Sequence, residues 1–283
     1  MEYLIKASAI TALFYVCYKL FLQKETFFES NRWYLLLGLI SSFFIPLIVI
    51  PVYVVKTIEP ITYDLGTQLT TISYESASPA VQSFDWTQVI WLIYGLGTVY
   101  LLSKFLIQLF SLIDLITKNK KISSGAFKLV QVNDPIAPFS FFNYIVYNSN
   151  NYSKEELHQI ITHEKVHANQ WHSIDILVTH VVTALFWFNP FIWFYKKDLQ
   201  QNLEFIADQL TQEQLKDRKS YQYTLLKNSV PNYQMALANN FFNSLIKKRI
   251  VMLHKNKSKQ SNQLKMALIL PFIAVFLMSF NTI

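Results

Sequence analysis

The sequence predicts a mainly α-helical, polytopic membrane protein with about four transmembrane helices and one polar α+β domain inserted before the last of them. Hydrophobic residues make up 52% of the 283 positions and charged residues only 15%, whereas charged residues usually make up about 25% of a soluble domain. The apolar residues are concentrated in runs that are long enough to cross a bilayer. Both observations exclude an ordinary soluble protein.

An N-terminal membrane region is predicted over residues 1–116. It contains three expected transmembrane helices at about 3–22, 33–55 and 86–116, and a polar extracytoplasmic loop at 56–85. As a helix, the first run would be about 30 Å long, which matches the hydrocarbon core of a bilayer. A cleaved signal peptide is the alternative for this run, but the run lacks a basic start and a small-residue cleavage site.

The rest of the chain is predicted to form a polar domain at 117–263 and a C-terminal transmembrane helix at 264–283. Nineteen of the 25 Lys and Arg residues lie between positions 118 and 265. Because positively charged segments stay on the inner side, we expect this domain to be cytoplasmic in a bacterial cytoplasmic membrane. The charge favours contact with anionic membrane lipid, and no nucleic-acid-binding module is recognised, so direct nucleic-acid binding is not expected.

The polar domain contains an H-E-x-x-H motif at residues 163–167. His163 and His167 lie one helical turn apart, so both imidazoles can reach one metal ion. Glu164 is rotated by about 100° from His163, which suits a base that takes a proton from a water on the metal. A capping-box pattern at residues 153–156 predicts the start of this helix. We therefore expect a Zn2+ site with Glu164 as its catalytic residue.

A third ligand is expected from a second helix. Glu204 lies thirty-seven residues after His167, and Asp208 follows one turn later on the same face. Glu204 could complete the zinc site, and Asp208 could accept the outer N–H of a zinc-bound histidine. The alternative is an exposed, charged helical turn that matches the motif by chance. The cap, the downstream E-x-x-x-D and the scarcity of Gly and Pro favour the metal site.

The apolar stretch 174–195 decides whether this site can form. If the stretch crossed the membrane, Glu204 would lie on the opposite side from the two histidines. Its polar residues and the Asn-Pro break at 189–190 fit a lipid-exposed span poorly, so we expect an embedded or interfacial helix that does not cross. His172 and Asp175 either support the zinc ligands from outside or are ordinary structural residues.

Two further features are open to more than one interpretation. Residues 127–132 and 144–147 are predicted to form strands. A strand beside the metal helix could bind an extended peptide by edge pairing, or the two strands could be a plain structural hairpin. Tyr221 and Tyr223 could stabilise an oxyanion, and ordinary packing is the alternative.

The chain resembles the BlaR/MecR-type membrane metallopeptidases, the antibiotic-sensing signal transducers. The resemblance covers nearly the whole chain and depends on several segments together, because H-E-x-x-H alone would not be specific. These segments are the loop 27–32, the turn 138–142, the motif His163-Glu164-Lys165-Val166-His167, and the segments 186–190 and 204–208.

The resemblance implies a gluzincin-like zinc metallopeptidase domain, with His163, His167 and Glu204 as ligands and Glu164 as the catalytic base. It also implies a regulatory endopeptidase whose protein substrate is cytoplasmic or membrane-proximal, such as a transcriptional repressor. Sensors of this family continue into a large extracytoplasmic domain that is missing after Ile283. We therefore expect the signal to come from a separate sensor protein or from the 56–85 loop, and a homodimer stays open.

Two other functions fit the same residues. A quality-control membrane protease of the HtpX/prenyl-protease type uses the same H-E-x-x-H motif with a distal Glu. A non-catalytic membrane signal transducer would bind a partner through the same domain without cleaving it.

Overall fold

A computed structural model describes residues 2–51, 85–215, 217–228 and 236–280 of the chain. Within these residues the protein is mostly helical and contains one small sheet. The predicted extracytoplasmic loop 56–85, apart from Asp85, lies outside the described residues, and so does the end of the predicted second span.

The α-helices of this part of the chain are α1 (Glu2–Cys17), α2 (Phe28–Phe44), α3 (Trp86–Lys118), α4 (Lys154–Asn169), α5 (His172–Leu185), α6 (Pro190–Gln214), α7 (Arg218–Asn228), α8 (Ala236–Leu253) and α9 (Ile269–Phe280). The strands are β1 (Lys121–Ser124), β2 (Phe127–Gln131), β3 (Phe139–Phe141) and β4 (Tyr144–Tyr147). A π-helical turn, Tyr18–Leu22, extends α1, and 3-10 segments follow α2 (Ile45–Leu47) and precede α9 (Gln260–Leu268).

Three helical segments of the described chain are long and apolar enough to cross a membrane, namely Glu2–Leu22, Trp86–Lys118 and Gln260–Phe280. They correspond to the first, third and last predicted spans and indicate a membrane protein. The second predicted span, 33–55, differs: α2 starts earlier and its α-helix stops at Phe44. Pro46 follows, and because proline has no amide hydrogen and restricts the residue before it, the helix cannot continue regularly.

Helix α2 also differs from a lipid-exposed span in its packing. About half of its residues are buried, among them the polar Asn31 and Arg32. It lies between α1 and α6 in the main hydrophobic core. Gly38 permits the close approach of α6, because a Cβ at this position would overlap the Tyr195 hydroxyl and the Phe14 ring. The core thus holds α6 against the two N-terminal helices.

The sheet has the strand order β1-β2-β4-β3. The predicted strands are confirmed as β2 and β4, but they pair in parallel, with Leu129 opposite Ile145. They are therefore not the two arms of a hairpin. Strand β3 lies between them in sequence and pairs antiparallel with β4 at the edge of the sheet. Val130 and Val146 are fully buried against the last turns of α3.

The apolar stretch 174–195 forms a hairpin rather than one continuous helix. Helix α5 ends at Leu185 and α6 begins at Pro190, with α5 packed along α6. The Asn189 side chain caps α6 by accepting a hydrogen bond from the Phe191 amide at 2.9 Å. Pro190 suits the first helical position, because an amide hydrogen there would have no partner within the helix. The chain therefore turns back, and Glu204 returns to the end at which α5 began.

A buried polar cluster joins the loop between α1 and α2 to the segment after α8. Lys265 Nζ donates to Glu25 Oε1 at 2.6 Å, and Asn262 Nδ2 lies 3.1–3.2 Å from both carboxylate oxygens. The Thr26 and Ser258 backbone amides each donate to the other residue's hydroxyl. Although burial alone would raise the pKa of Glu25, the hydrogen bonds from Lys265, Ser258 and Asn262 lower it to about 2.

We predict that Glu25→Gln destabilises the purified protein by about 2 kcal/mol at neutral pH, because it removes charge-assisted hydrogen bonds. A carboxyl whose folded-state pKa is lowered contributes stability above its usual pKa of 4.5 and loses that contribution as the pH falls towards 2. The difference in melting temperature between wild type and variant should therefore shrink between pH 4.5 and the lowest pH that the protein tolerates. Glu213→Gln, at an exposed site on α6, is the charge-matched control, and an equal effect there would contradict the prediction.

Candidate metal centre

Helix α4 presents the two histidines of the motif to α6. Its start is fixed by Ser153 and Glu156, whose side chains each bond the other residue's backbone amide in a capping box. His163 and His167 then lie on one face, one turn apart, with their Nε2 atoms 3.2 Å from each other. The predicted cap and the predicted helix are both present.

Glu204 of α6 meets this pair. Its Oε2 lies 3.4 Å from His163 Nε2 and its Oε1 lies 3.7 Å from His167 Nε2. In a tetrahedral metal site with bonds of about 2.0–2.1 Å, neighbouring ligand atoms are about 3.3 Å apart. The three side chains therefore form a group that could bind a metal ion, with its ligand atoms all within 4.8 Å of one another.

The outer nitrogen of His163 contacts Tyr221 of α7. The Tyr221 hydroxyl lies 2.8 Å from His163 Nδ1 and donates to Asp208 Oδ1 at 2.7 Å. Asp208 itself is 3.5 Å from that nitrogen, so it reaches His163 through the tyrosine rather than by the direct hydrogen bond suggested from the sequence. A neutral His163 that offers Nε2 to a metal carries its hydrogen on Nδ1 and donates it to Tyr221.

The position of Tyr221 fits neither an oxyanion donor nor ordinary packing. The side chain is buried, with 1% exposure, and its hydroxyl lies on the side of His163 that faces away from His167 and Glu204. It is therefore placed to orient a histidine, not to stabilise an oxyanion. Tyr223 is 68% exposed and has no place in the group.

His167 is supported in the same way by His172, the first residue of α5. The two Nδ1 atoms are 2.7 Å apart. Burial, together with the charges of nearby His167 and Arg32, lowers the pKa of His172 to about 2, so this imidazole is neutral and can accept a hydrogen from His167. Burial also lowers the pKa of His167.

Asp175 of α5 lies further from the candidate metal ligands than His172 does and contacts Arg32. Its carboxylate accepts a 2.6 Å hydrogen bond from Arg32 of α2, and both side chains are buried. Arg32 also donates to the Gln170 carbonyl at 2.8 Å, at the end of α4. Asp175 therefore does not contact a histidine of the group. Instead, it helps Arg32 to fix the turn between α4 and α5.

Arg249 of α8 is a member of the site that the sequence did not reveal. Its guanidinium lies 2.9 Å from Glu204 Oε2 and makes two hydrogen bonds of 2.6–2.7 Å to Asp208. Burial alone would raise the pKa of Glu204, but the charge of Arg249 and the hydrogen bond from His163 hold it well below its usual value. The buried carboxylate of Asp208 does require a nearby cation, yet nothing in the pattern distinguishes Arg249 from the lysines beside it.

Glu164 occupies the same helical turn as His163 and is largely buried, with 9% exposure. In the described part of the chain, its carboxylate has no hydrogen-bond donor and no ion-pair partner. Its negative charge nevertheless acts on His167, where it favours the protonated form. A buried, unpaired carboxylate beside the histidine pair can accept a proton without first breaking another bond.

A cavity of about 380 Å³ opens onto this group. Its polar wall is formed by His167, Glu204 and Arg249 together with Lys197, Gln200 and Gln201. Its apolar wall is formed by residues of α5, α6 and α8, namely Ile176, Leu203, Leu245 and Ile246. The space can therefore take an apolar side chain next to the candidate metal ligands.

Comparison with known proteins agrees with these features. The model of the BlaR1 peptidase M56 family matches residues 5–253, which is most of the chain and includes all the side chains of the candidate metal centre. No curated protein matches the sequence. The resemblance seen in the sequence is therefore confirmed, and the chain belongs to the M56 family of BlaR1-type peptidases.

Proposed function

We propose that this protein is a membrane-embedded, zinc-dependent endopeptidase with a regulatory, signal-transducing role. The observation that carries the proposal is the group His163, His167 and Glu204, whose ligand atoms all lie within 4.8 Å of one another. Membership of a peptidase family supports the reaction class. Two histidines and one carboxylate are a donor set that suits catalytic zinc, which keeps a fourth position open.

Each residue of the group has a separate role in the proposed reaction. His163, His167 and Glu204 hold the metal, which would lower the pKa of a water and polarise the scissile carbonyl. Glu164 is the general base, because its unpaired carboxylate can receive the proton of the attacking water and pass it to the leaving nitrogen. Tyr221 and His172 keep the two imidazoles in the tautomer that offers Nε2 to the metal.

The substrate we propose is a cytoplasmic or membrane-proximal protein, such as a transcriptional repressor. The α5–α6 hairpin supports a site close to the membrane, since Glu204 lies about 21 Å along α6 from its apolar start at Pro190. Edge strand β3 could add a strand of extended substrate beside α4. The apolar wall of the 380 Å³ cavity suits a hydrophobic residue next to the cleaved bond.

The placement of charge supports a bacterial cytoplasmic membrane with the metal centre on its inner side. We propose four spans, with α2 as the short second one, and a gluzincin-like fold for the polar domain. A separate sensor protein would supply the signal, and a homodimer stays open.

One observation favours the non-catalytic alternative. Arg249 engages the Glu204 carboxylate at 2.9 Å, and a guanidinium in this place could substitute for a metal ion. A protein that used the domain only to bind a partner would then need no zinc. Metal content distinguishes the two functions.

We predict about one zinc per chain in protein purified from metal-replete cells, and loss of most of it in Glu204→Ala, because two histidines alone bind zinc weakly. Elemental analysis of the detergent-purified protein measures it. Glu213→Ala, on the same helix but exposed, should keep the metal. A metal-free wild type, or an unchanged zinc content in Glu204→Ala, would contradict the proposed ligand set.

We predict that Glu164→Gln keeps zinc but cleaves peptides at least about 100-fold more slowly, since general bases contribute factors of 10² or more. Mass spectrometry of a peptide library incubated with the purified protein measures the rate and the preferred residues. Cleavage by the variant at the wild-type rate would remove Glu164 from its role. A wild type that holds zinc but cleaves nothing would favour the non-catalytic alternative.

We predict that Tyr221→Phe weakens zinc binding by about tenfold or more, because Asp208 and His163 lose the hydroxyl that connects them. Competition with a chelator of known affinity measures the change. The matched control is Tyr223→Phe, which changes a 68% exposed side chain two residues away. Equal affinity in both variants would show that the connection does not support the metal.

A further inference from the structure

Helix α3 lies in close contact with the α5–α6 hairpin and runs antiparallel to α5. The Tyr94 hydroxyl donates to the Leu185 carbonyl at 3.1 Å, and the Trp187 ring lies against Gly97, where a Cβ would overlap it. Further along α3, the Phe105 ring stacks on His180 at 5.3 Å. The tip of the hairpin therefore lies beside residues 94–97 of α3, and its middle, at His180, lies beside Phe105.

This register gives the depth of each part in a bilayer that α3 crosses. From Trp86, Gly97 is about 16 Å along the helix and Lys104 is about 27 Å along it. A hydrocarbon core of about 30 Å therefore places the hairpin tip near the middle and Lys104 near the far surface. The α3 surface from Ile90 to Tyr100 is apolar and exposed, as expected for contact with lipid, and exposed apolar residues continue past Lys104 at Ile107 and Phe110.

At the level of Lys104, a cleft of about 220 Å³ lies between α3, α5 and α6. Its polar lining comes from three helices and consists of Lys104, Gln108, His180, Thr183 and Lys196. No carboxylate lines it. Its volume is about seven times the roughly 30 Å³ that one water occupies in the liquid.

The two lysines of this cleft have no described counter-charge. Lys196 Nζ lies 3.3 Å from His180 Nδ1, and within the described ranges neither Lys196 nor Lys104 forms an ion pair with a carboxylate. Asp198, the acidic residue closest to Lys196 in sequence, pairs instead with Lys19 of the π-helical turn at 2.8 Å. An ammonium group that is half-buried beside apolar surface, as that of Lys196 is, is costly unless an anion compensates it.

We propose that this cleft binds the phosphate of an anionic phospholipid, with Lys104 and Lys196 as charged donors and His180, Thr183 and Gln108 as polar neighbours. A phosphate accepts several short, charge-assisted hydrogen bonds, and such groups lie at the depth that α3 gives to Lys104. A free phosphate ester has the same chemistry. The lipid is favoured because the same cleft is lined by Leu101, Phe105 and Trp193, of which Trp193 is 45% exposed.

The bound lipid would act on the elements that carry the candidate metal centre. Lys196 and Glu204 lie on the same helix, about 12 Å apart along its axis, and His180 lies on the helix that begins with His172. A headgroup held between Lys104 and Lys196 would therefore brace α5 and α6 against α3. Lipid binding itself needs neither zinc nor cleavage, so its test is independent of the proposed peptidase activity.

The test is native mass spectrometry of the full-length protein released from detergent micelles that contain either phosphatidylglycerol or phosphatidylcholine. We expect wild type to retain phosphatidylglycerol in preference to phosphatidylcholine. Lys104→Gln/Lys196→Gln should lower the affinity for phosphatidylglycerol by about tenfold or more, at about one kcal/mol for each lysine. Lys120→Gln/Lys121→Gln, an equal charge change at exposed positions beyond the cleft, should retain the lipid.

A single variant and a competition with phosphate complete the test. Lys104→Gln alone changes an exposed residue and should lower lipid affinity severalfold, so the result does not depend on the folding of the double variant. Addition of inorganic phosphate tests the soluble ligand. Retention that depends on the two lysines and resists phosphate supports the proposal. Equal retention by the double variant, or displacement of the lipid by millimolar phosphate, would overturn it.

Discussion

The reversal of the chain at residues 186–189 is the constraint on which the candidate metal centre depends. Helix α5 leads away from His167, and only a return through α6 brings Glu204 back to the same place. The Asn189 cap and Pro190 start the returning helix, and the contact of Trp187 with Gly97 of α3 holds the tip. A stretch that looks like a membrane span therefore serves to close a polar site, because it reverses direction and brings Glu204 back to the two histidines.

Charge balance explains why a divalent cation suits this site. Glu164, Glu204 and Asp208 contribute three carboxylates, and Arg249 is the guanidinium that opposes them. With neutral histidines, the side chains Glu164, Glu204, Asp208 and Arg249 together carry two negative charges in excess. A metal ion with two positive charges would offset this excess. Arg249 would then mainly neutralise Asp208, with which it makes two hydrogen bonds, and the metal ion would neutralise Glu204 and the nearby Glu164.

The sequence predicted local features well and contacts between helices poorly. The capping box and the H-E-x-x-H spacing depend on residues within one or two turns, so α4 was predicted correctly. Glu204 was found because its E-x-x-x-D pattern is local too, and the family resemblance pointed to it. Neither the Tyr221 contact with His163 nor the Arg249 contact with Glu204 has such a pattern, because the partners are 58 and 45 positions apart and meet only after packing. Helix α2 ends at Phe44, just before Pro46, although the span was predicted to continue to residue 55.

The cluster around Glu25 also affects the order in which the protein can be completed. Its partners are separated by 240 positions in the chain, so this contact can form only after Lys265 has been synthesised. Contacts of such long range form slowly, and N-terminal parts of a chain emerge from the ribosome first. Helices α1 and α2 must therefore persist for most of translation without this partner, and a chain that stalls before Asn262 leaves the Glu25 carboxylate exposed.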